Sequence, residues 1–149
     1  MADPLTRKER RAVQLAGAAL TAALGNDWQR ASAMLQRIST ECGGEGMQRA
    51  LLSLCDTVIH HAGITPGQPV RIMFQQADGD GRITGADEVQ RRESVWAGRL
   101  LAARAADDED TWSALIEALP RDGYAIGQHV IALLEMCTLM IARYLKRGA

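Results

Sequence analysis

The residues with the clearest potential for chemistry lie in a short acidic turn near the middle of the chain. Asp78 and Asp80 alternate with glycine in the run Asp78-Gly79-Asp80-Gly81, and Asp87 follows soon after. Carboxylates at such spacing supply the hard oxygen ligands that Ca²⁺ prefers, and glycine permits the sharp bend that gathers them. The turn is therefore a candidate calcium site.

The twelve residues from Gln76 to Asp87 resemble the calcium-binding loop of the EF-hand family. The resemblance implies that Asp78 and Asp80 occupy the third and fifth loop positions. Gln76 departs from the family pattern because aspartate is usual at the first position, and Asp87 replaces the bidentate glutamate at the last. These departures favour a plain hairpin turn, and calcium binding stays an alternative. The sequence thus predicts no metal or cofactor.

A second candidate centre combines a cysteine with two histidines. Cys42 begins the glycine-rich stretch Cys42–Gly46, which interrupts the helical pattern, and His60 and His61 follow in the next predicted helix. A neighbouring imidazole can activate a thiol as a nucleophile. A flexible connection and surface histidines explain the same residues, however. The sequence therefore predicts no catalytic residue here, and Cys42-centred activity stays an alternative.

Cysteine usage and hydropathy indicate the compartment. The three cysteines, Cys42, Cys55 and Cys137, are an odd number without metal-ligand spacing, and the latter two fall on apolar helix stripes. We expect no signal peptide at the basic N-terminus. The longest apolar run, Val130 to Ala142, has 13 residues, fewer than the ~20 that a membrane span needs. We therefore expect a cytoplasmic protein without a membrane segment.

The charge and composition of the chain do not favour binding to nucleic acid. The chain has 149 residues, of which 47% are hydrophobic and 23% charged, and its formal net charge is −1, as in an ordinary globular protein. Arginine outnumbers lysine strongly, which indicates a GC-rich bacterial genome. Basic residues cluster at the two ends: Arg7, Lys8, Arg10 and Arg11, and Arg143, Lys146 and Arg147. A phosphate-binding patch built from both clusters would make a nucleic-acid-associated protein, which is the alternative function; solvated helix faces explain the clusters more simply.

An internal resemblance organises the rest of the chain. Residues 16–23 resemble residues 97–104, and both stretches lead to an acidic break. Together with this block, three similar blocks occur in the same order and at a nearly constant offset in both halves. Ala16–Ala23 matches Ala97–Arg104; Met34, Leu35 and Ile38 match Leu115, Ile116 and Leu119; and Ala50–Cys55 matches Ala132–Cys137. Shared Ala/Leu composition is the competing explanation. We favour a duplicated three-helix unit.

Apolar periodicity predicts six helices, at about 4–25, 27–39, 46–62, 87–107, 110–119 and 125–146. Asp27 and Asp110 are the expected N-caps of the second and fifth of these. The segment at about 66–85 predicts a β-hairpin. The expected fold is a single all-α domain, residues 1–149, of two related three-helix halves (about 4–62 and 87–146) joined by a short β-hairpin-like connection.

The final predicted helix is apolar nearly all round. Ile131, Met136 and Leu139 extend its apolar surface beyond one core-facing stripe, and such a surface marks a central helix or an interface. Trp28 and Trp112 are further candidates for interaction residues, whereas Trp96 falls in register with a core stripe and His129 is expected as a cap or surface contact. The sequence therefore predicts a non-enzymatic protein-interaction or regulatory module with a protein partner, expected to form a homodimer.

Overall fold

The structure is a computed structural model that describes residues 5–63, 73–75, 83–85 and 92–147, with the backbone alone at 73–75, 83–85 and 144–147. Five helices account for most of these residues: α1 (Arg7–Leu24), α2 (Trp28–Ala62), α3 (Arg92–Ala105), α4 (Glu109–Glu117) and α5 (Gly123–Arg147). Two three-residue strands, β1 (Met73–Gln75) and β2 (Ile83–Gly85), pair antiparallel with Phe74 opposite Thr84. The all-α class is confirmed.

Contacts divide the chain into two compact units. The first comprises Met1–Ala62 and Cys137–Ala149, and the second comprises Gly63–Met136. In the first unit α1 packs against α2, and in the second α3 packs against α4. α5 is one continuous helix that begins in the second unit and ends in the first.

The beginning of α1 is set by a capping box. The Thr6 hydroxyl accepts from the Glu9 amide at 3.1 Å, and the Glu9 carboxylate accepts from the Thr6 amide at 3.2 Å. This reciprocal pair satisfies two amides that the first turn of a helix leaves unpaired. Glu9 also accepts from Arg49 Nε of α2 at 3.1 Å. The Thr6 amide, the Thr6 hydroxyl and Arg49 together lower the pKa of Glu9.

α2 is interrupted at one residue, Gly43. Its backbone angles, φ 67° and ψ −164°, fall in a region that is essentially restricted to glycine. The residue divides α2 into helical segments 28–42 and 44–62. The expected loop over Cys42–Gly46 is therefore wrong: a single glycine absorbs the change of direction, so Cys42 stays helical and buried.

Small residues let α1 and α2 approach closely in the first unit. Ala12, Ala16 and Ala19 lie on one face of α1 and are fully buried. A Cβ built on Gly46 of α2 would lie 3.5 Å from Ala12 Cβ and 2.2 Å from Cys42 Cβ. Gly46 therefore has no room for a side chain because of Cys42 in the same helix, whereas Ala12 of α1 lies at an ordinary contact distance.

Buried sulfur atoms complete the core of this unit. Cys55 and Cys137 are fully buried, which confirms their expected core positions. The Cys137 thiol donates to the Leu54 carbonyl at 3.9 Å, which links the end of α5 to α2. Burial raises the pKa of Cys137 to about 12. This thiol therefore stays protonated at neutral pH and packs as an apolar group.

Trp96 and His129 form the aromatic centre of the second unit. Trp96 is 6% exposed, which confirms its core position, and its Nε1 donates to the Leu115 carbonyl at 2.9 Å. The two rings meet edge to face at 5.4 Å between centroids. His129 is buried, so its expected surface position is wrong. Its Nδ1 lies 2.7 Å from the Ala125 carbonyl, a hydrogen bond within α5 that lets the ring leave solvent.

The turns that join α1 to α2 and α3 to α4 have the same conformation. Asn26 and Asp107 take left-handed φ values of 62° and 58°, which asparagine and aspartate tolerate better than most residues. The backbone hydrogen bonds correspond one for one at a constant offset along the chain: 25 to 21, 26 to 23 and 27 to 22 in the first turn, and 106 to 102, 107 to 104 and 108 to 103 in the second.

An aspartate caps the helix after each of these turns. Asp27 and Asp108 each accept, at 3.1 Å, from the amide three residues later, so Asp27 is confirmed as an N-cap. The prediction of Asp110 as the N-cap is wrong. Asp107 has the left-handed φ, Asp108 follows it as the N-cap, and the helix begins at Glu109, so Asp110 already lies inside the first turn. The Thr111 hydroxyl, at 2.6 Å, and its amide both donate to Asp108 and lower its pKa.

Candidate interaction surface

α5 has one covered face and one open face. Val130, Leu133, Leu134, Cys137 and Ile141 are all buried. Tyr124 and Leu139, in contrast, are 75% and 66% exposed. Only three large apolar residues in the described part of the chain are exposed, and two of them lie on this helix; the third is Leu24 of α1. The open face of α5 is therefore the most apolar accessible feature that the structure describes.

Four residues along the open face form one ridge. Ile131, Glu135, Leu139 and Arg143 are spaced four apart, and residues at this spacing make the rows by which helices commonly pack. Ile131 and Glu135 are half-buried, and Leu139 and Arg143 are exposed. We call these four residues the α5 ridge, which is roughly 18 Å long at the rise of an α-helix. Tyr124 lies two turns before Ile131, on the same side.

The predicted interaction residues are only partly brought together. Ile131 and Leu139 share the α5 ridge, whereas Met136 is 7% exposed and its side chain is out of a partner's reach. Trp28 and Trp112 are half-buried on α2 and α4. Tyr124, Glu135 and Arg143 were not among the predicted interaction residues, although the four-residue spacing from Ile131 would have identified the last two.

A shallow groove opens along α1 and α2 in the first unit. Its volume is about 400 Å³, and its lining combines aliphatic with polar side chains: Leu5, Val13 and Leu52, and Arg49, Ser53, Asp56, Thr57, His60 and His61. Arg49 is already paired with Glu9, and the Thr57 hydroxyl donates to the Ser53 carbonyl at 2.8 Å. The groove thus has a mixed aliphatic and polar lining, in which Arg49 and Thr57 already have hydrogen-bond partners within the first unit.

The proposed Cys42 centre does not form. Cys42 is buried, while His60 and His61 lie near the end of α2, where His60 is exposed. The helical segment from Gly44 to His60 alone rises by roughly 24 Å, far beyond hydrogen-bond reach. A thiol and an imidazole this far apart cannot act as nucleophile and base.

The remaining chemical candidates lie outside the described residues. These are Gln76, Asp78, Asp80 and Asp87 of the segment that resembles an EF-hand calcium loop. They lie in the ranges 76–82 and 86–91, which the structure does not describe. Within the part of the chain that the structure describes, no three histidine, cysteine, aspartate or glutamate side chains are grouped to hold a metal ion. The described residues therefore supply no metal centre.

The basic N-terminal cluster is partly neutralised within the first unit. Arg11 Nε lies 3.3 Å from Glu41, and Arg37 Nε lies 2.7 Å from the same carboxylate. These guanidinium groups, Arg37 foremost, lower the pKa of Glu41. The side chains of Lys146 and Arg147, at the other end of the chain, lie outside the described residues. The N-terminal cluster thus contributes fewer free charges than its composition suggests.

α5 also satisfies a membrane criterion by length and composition. The segment Gly123–Arg143, 21 residues, is long and apolar enough to cross a bilayer, so the expectation of no such segment, which rested on the 13-residue run Val130 to Ala142, is not supported by this criterion. Half of its most apolar window is buried inside the protein.

Comparison of the chain with protein-family models, curated proteins and solved structures found no match.

Proposed function

We propose that the protein is a non-enzymatic interaction module that self-associates through the α5 ridge. The observation that carries this proposal is the exposure of Leu139, 66%, at the third position of a ridge whose helix is buried on its other side. An isolated exposed leucine is common on protein surfaces. Leu139 differs because Ile131 and Tyr124 lie on the same side of the same helix, which extends the apolar surface along several turns.

The size of the ridge indicates a weak dimer. A surface roughly 18 Å long and 10 Å wide is far smaller than the ~800 Å² per partner of a stable interface. Helix-on-helix contact at this ridge alone therefore supports a transient association. We expect dimers to accumulate only at high protein concentration.

Leu139→Glu is expected to abolish this association. A carboxylate at the contact would be desolvated without a partner, which is costly, whereas in the monomer the exposed position tolerates the charge. Sedimentation equilibrium over a concentration series should show a monomer–dimer equilibrium for the wild type and monomer alone for the variant. Circular dichroism should show unchanged helicity.

Leu24→Glu is the matched control, since Leu24 is also an exposed leucine, at 38%, but lies on α1. This variant should dimerise like the wild type. A wild type that stays monomeric at the highest attainable concentration would contradict the proposal, and so would equal loss of dimer in both variants. Met136→Glu is unsuitable because it would introduce a charge at a buried position.

We further propose that the chain consists of two related three-helix halves joined by a hairpin that contains β1 and β2. The matched turns support this proposal, because the left-handed residue, the three backbone bonds and the aspartate cap all recur at the same offset along the chain. Shared Ala/Leu composition would not by itself give two turns with the same conformation, hydrogen bonds and cap. An alanine-rich helix can end in many ways, and these two end alike.

The burial pattern supports the first and third blocks of the repeat. Equivalent positions in these blocks are buried: 15, 16, 19, 20 and 22 with 96, 97, 100, 101 and 103, and 50, 51, 54 and 55 with 132, 133, 136 and 137. The middle block departs from this pattern, because Leu35 and Ile38 are buried whereas Ile116 and Leu119 are half-buried. The residue types differ at several of these pairs, as with Leu15 and Trp96. Agreement in burial despite different side chains is what divergence after a duplication would leave.

Equivalent caps should contribute equally to stability. Asp27→Ala and Asp108→Ala should each lower the free energy of unfolding by about 1 kcal/mol, because each removes the acceptor of a first-turn amide. Asp110→Ala, which caps nothing, should change it by less than roughly 0.5 kcal/mol. Urea unfolding followed by circular dichroism measures all three. A large loss at Asp110, or at one cap without the other, would argue against equivalent turns.

A further inference from the structure

α4 is the one helix in the described part of the chain that has no buried residue. Its apolar residues nevertheless follow the spacing of a core-facing stripe. In the first half, the positions that correspond to Ile116 and Leu119 are Leu35 and Ile38, and both are buried. We define the α4 stripe as four half-buried residues, the last just beyond the end of the helix: Trp112, Leu115, Ile116 and Leu119.

A row of polar and acidic side chains runs beside the α4 stripe. Glu109, Ser113 and Glu117 are spaced four apart and are all exposed. Rows at this spacing run along a helix, so this row, the acidic border, lies next to Trp112 and Ile116. From residue 105 to residue 120 the chain has acidic residues and no basic one: Asp107, Asp108, Glu109, Asp110 and Glu117. The accessible surface of α4 therefore combines apolar and negative groups.

We infer that α4 binds a basic amphipathic helix of another protein. The apolar face of that helix lies on the α4 stripe, and its lysine or arginine side chains lie beside Glu109 and Glu117. Helices are recognised in this way through apolar residues at the same spacing. The inference does not rest on the α5 ridge, because α4 lies entirely within the second unit.

The acidic border selects this partner over two others. A second copy of α4 would bring Glu109 and Glu117 against the same residues, and like charges at an interface oppose binding. An anionic lipid surface attracts lysine and arginine, which this surface lacks. A basic amphipathic helix satisfies both the negative charge and the apolar stripe. Because the stripe is only roughly 11 Å long, it is smaller than a stable interface, and we expect a micromolar dissociation constant.

A synthetic peptide tests this partner chemistry. The labelled probe is a helix of about 14 residues, made of leucine at every third or fourth position and lysine elsewhere. The control peptide has glutamate in place of each lysine. Fluorescence anisotropy with the full chain should show micromolar binding of the lysine peptide that weakens with salt, and no binding of the glutamate peptide. Equal binding of the two peptides, or no binding of either, would overturn the inference.

Matched substitutions locate the binding surface. Glu117→Lys and Glu45→Lys each reverse an exposed glutamate, on α4 and on α2. The first should raise the dissociation constant roughly three- to tenfold, and the second should leave it unchanged. Ile116→Ser should raise it roughly tenfold, against no change for Leu24→Ser on α1. If Glu45→Lys weakens binding as much as Glu117→Lys, the peptide responds to overall charge and the inference is wrong.

The charge variant also guards against loss of the fold. A positive charge near the end of a helix interacts favourably with the helix dipole, so Glu117→Lys should keep its helicity by circular dichroism. Its result therefore remains informative even if Ile116→Ser unfolds the helix. Unchanged peptide binding by a folded Glu117→Lys variant would contradict a contact at the acidic border.

Disulfide tethering tests the contact directly. Ser113 is exposed and lies between the two glutamates of the acidic border. Ser113→Cys should form a disulfide with a lysine peptide that carries one central cysteine, whereas Ser39→Cys, at an exposed position on α2, should not. The three native cysteines are buried and should stay unreacted. Equal reaction at positions 113 and 39 would overturn the assigned surface.

The outcomes separate this inference from the proposed self-association. Leu139→Glu should bind the lysine peptide like the wild type, because Leu139 belongs to the first unit. A monomeric wild type that binds the peptide at α4 would overturn self-association alone. A wild type that dimerises but does not bind the peptide would overturn the α4 inference alone.

Discussion

Trp96→Ala is expected to lower the free energy of unfolding by about 3–5 kcal/mol, the range found for loss of a buried aromatic side chain. Trp96 is 6% exposed and donates from Nε1 to the Leu115 carbonyl on α4. The substitution removes that hydrogen bond, the edge contact with His129 and the buried apolar surface of the ring. Urea unfolding monitored by circular dichroism measures the change.

Two companion variants separate the contributions of Trp96. Trp96→Phe keeps most of the apolar surface but removes the donor to Leu115, and it should cost roughly 1–3 kcal/mol. Trp112→Ala removes the same residue type from a half-buried position on α4 and should cost clearly less than Trp96→Ala. Equal losses for the two alanine variants would contradict the central role of Trp96 in the second unit.

Gly46→Ala is expected to be the most damaging single-methyl change in the first unit. Its Cβ would lie 2.2 Å from Cys42 Cβ, closer than any two unbonded carbon atoms can approach. Cys42 Cβ is attached directly to the backbone and cannot rotate away, so the backbone of α2 around Gly43 must adjust. We expect a loss of roughly 1–3 kcal/mol, as for other overpacked cores, measured by denaturant unfolding.

Neighbouring glycines provide the control for Gly46. A Cβ on Gly44 would meet nothing within 4 Å, so Gly44→Ala should be neutral or stabilise by about 0.4–1 kcal/mol through the unfolded chain. Cys42→Gly combined with Gly46→Ala should lose less than the sum of the single changes, because the clashing atom is gone. If Gly46→Ala is as harmless as Gly44→Ala, the close approach at Cys42 does not exist in solution.

The two faces of α5 differ in burial. Its covered face carries core residues, among them Cys137 with its bond to Leu54. Its open face carries the α5 ridge, where Leu139→Glu is expected to change the proposed association without creating a cavity. Because this helix is apolar nearly all round, its sequence does not distinguish the covered face from the open one. Met136 and Leu139 therefore differ in burial although both are large apolar residues.

Local sequence determined much of the architecture. Apolar residues at helical spacing predicted the helices and the all-α class, and the core positions of Trp96, Cys55 and Cys137 followed from the same register. Asp27 was recognisable as a cap because capping depends on neighbouring residues alone. Such features need only interactions within one or two helical turns, which the sequence displays directly.

Tertiary structure decided the features that depend on distant contacts. Burial of His129 required Trp96 beside it and a carbonyl within α5, and the helical position of Cys42 required Gly43 to adopt a left-handed φ. Which side of α5 is covered, and hence that Met136 is buried and Leu139 exposed, follows from helices far away in sequence. Periodicity shows that a helix has an apolar face, but where a helix is apolar all round, only packing selects the side that remains open.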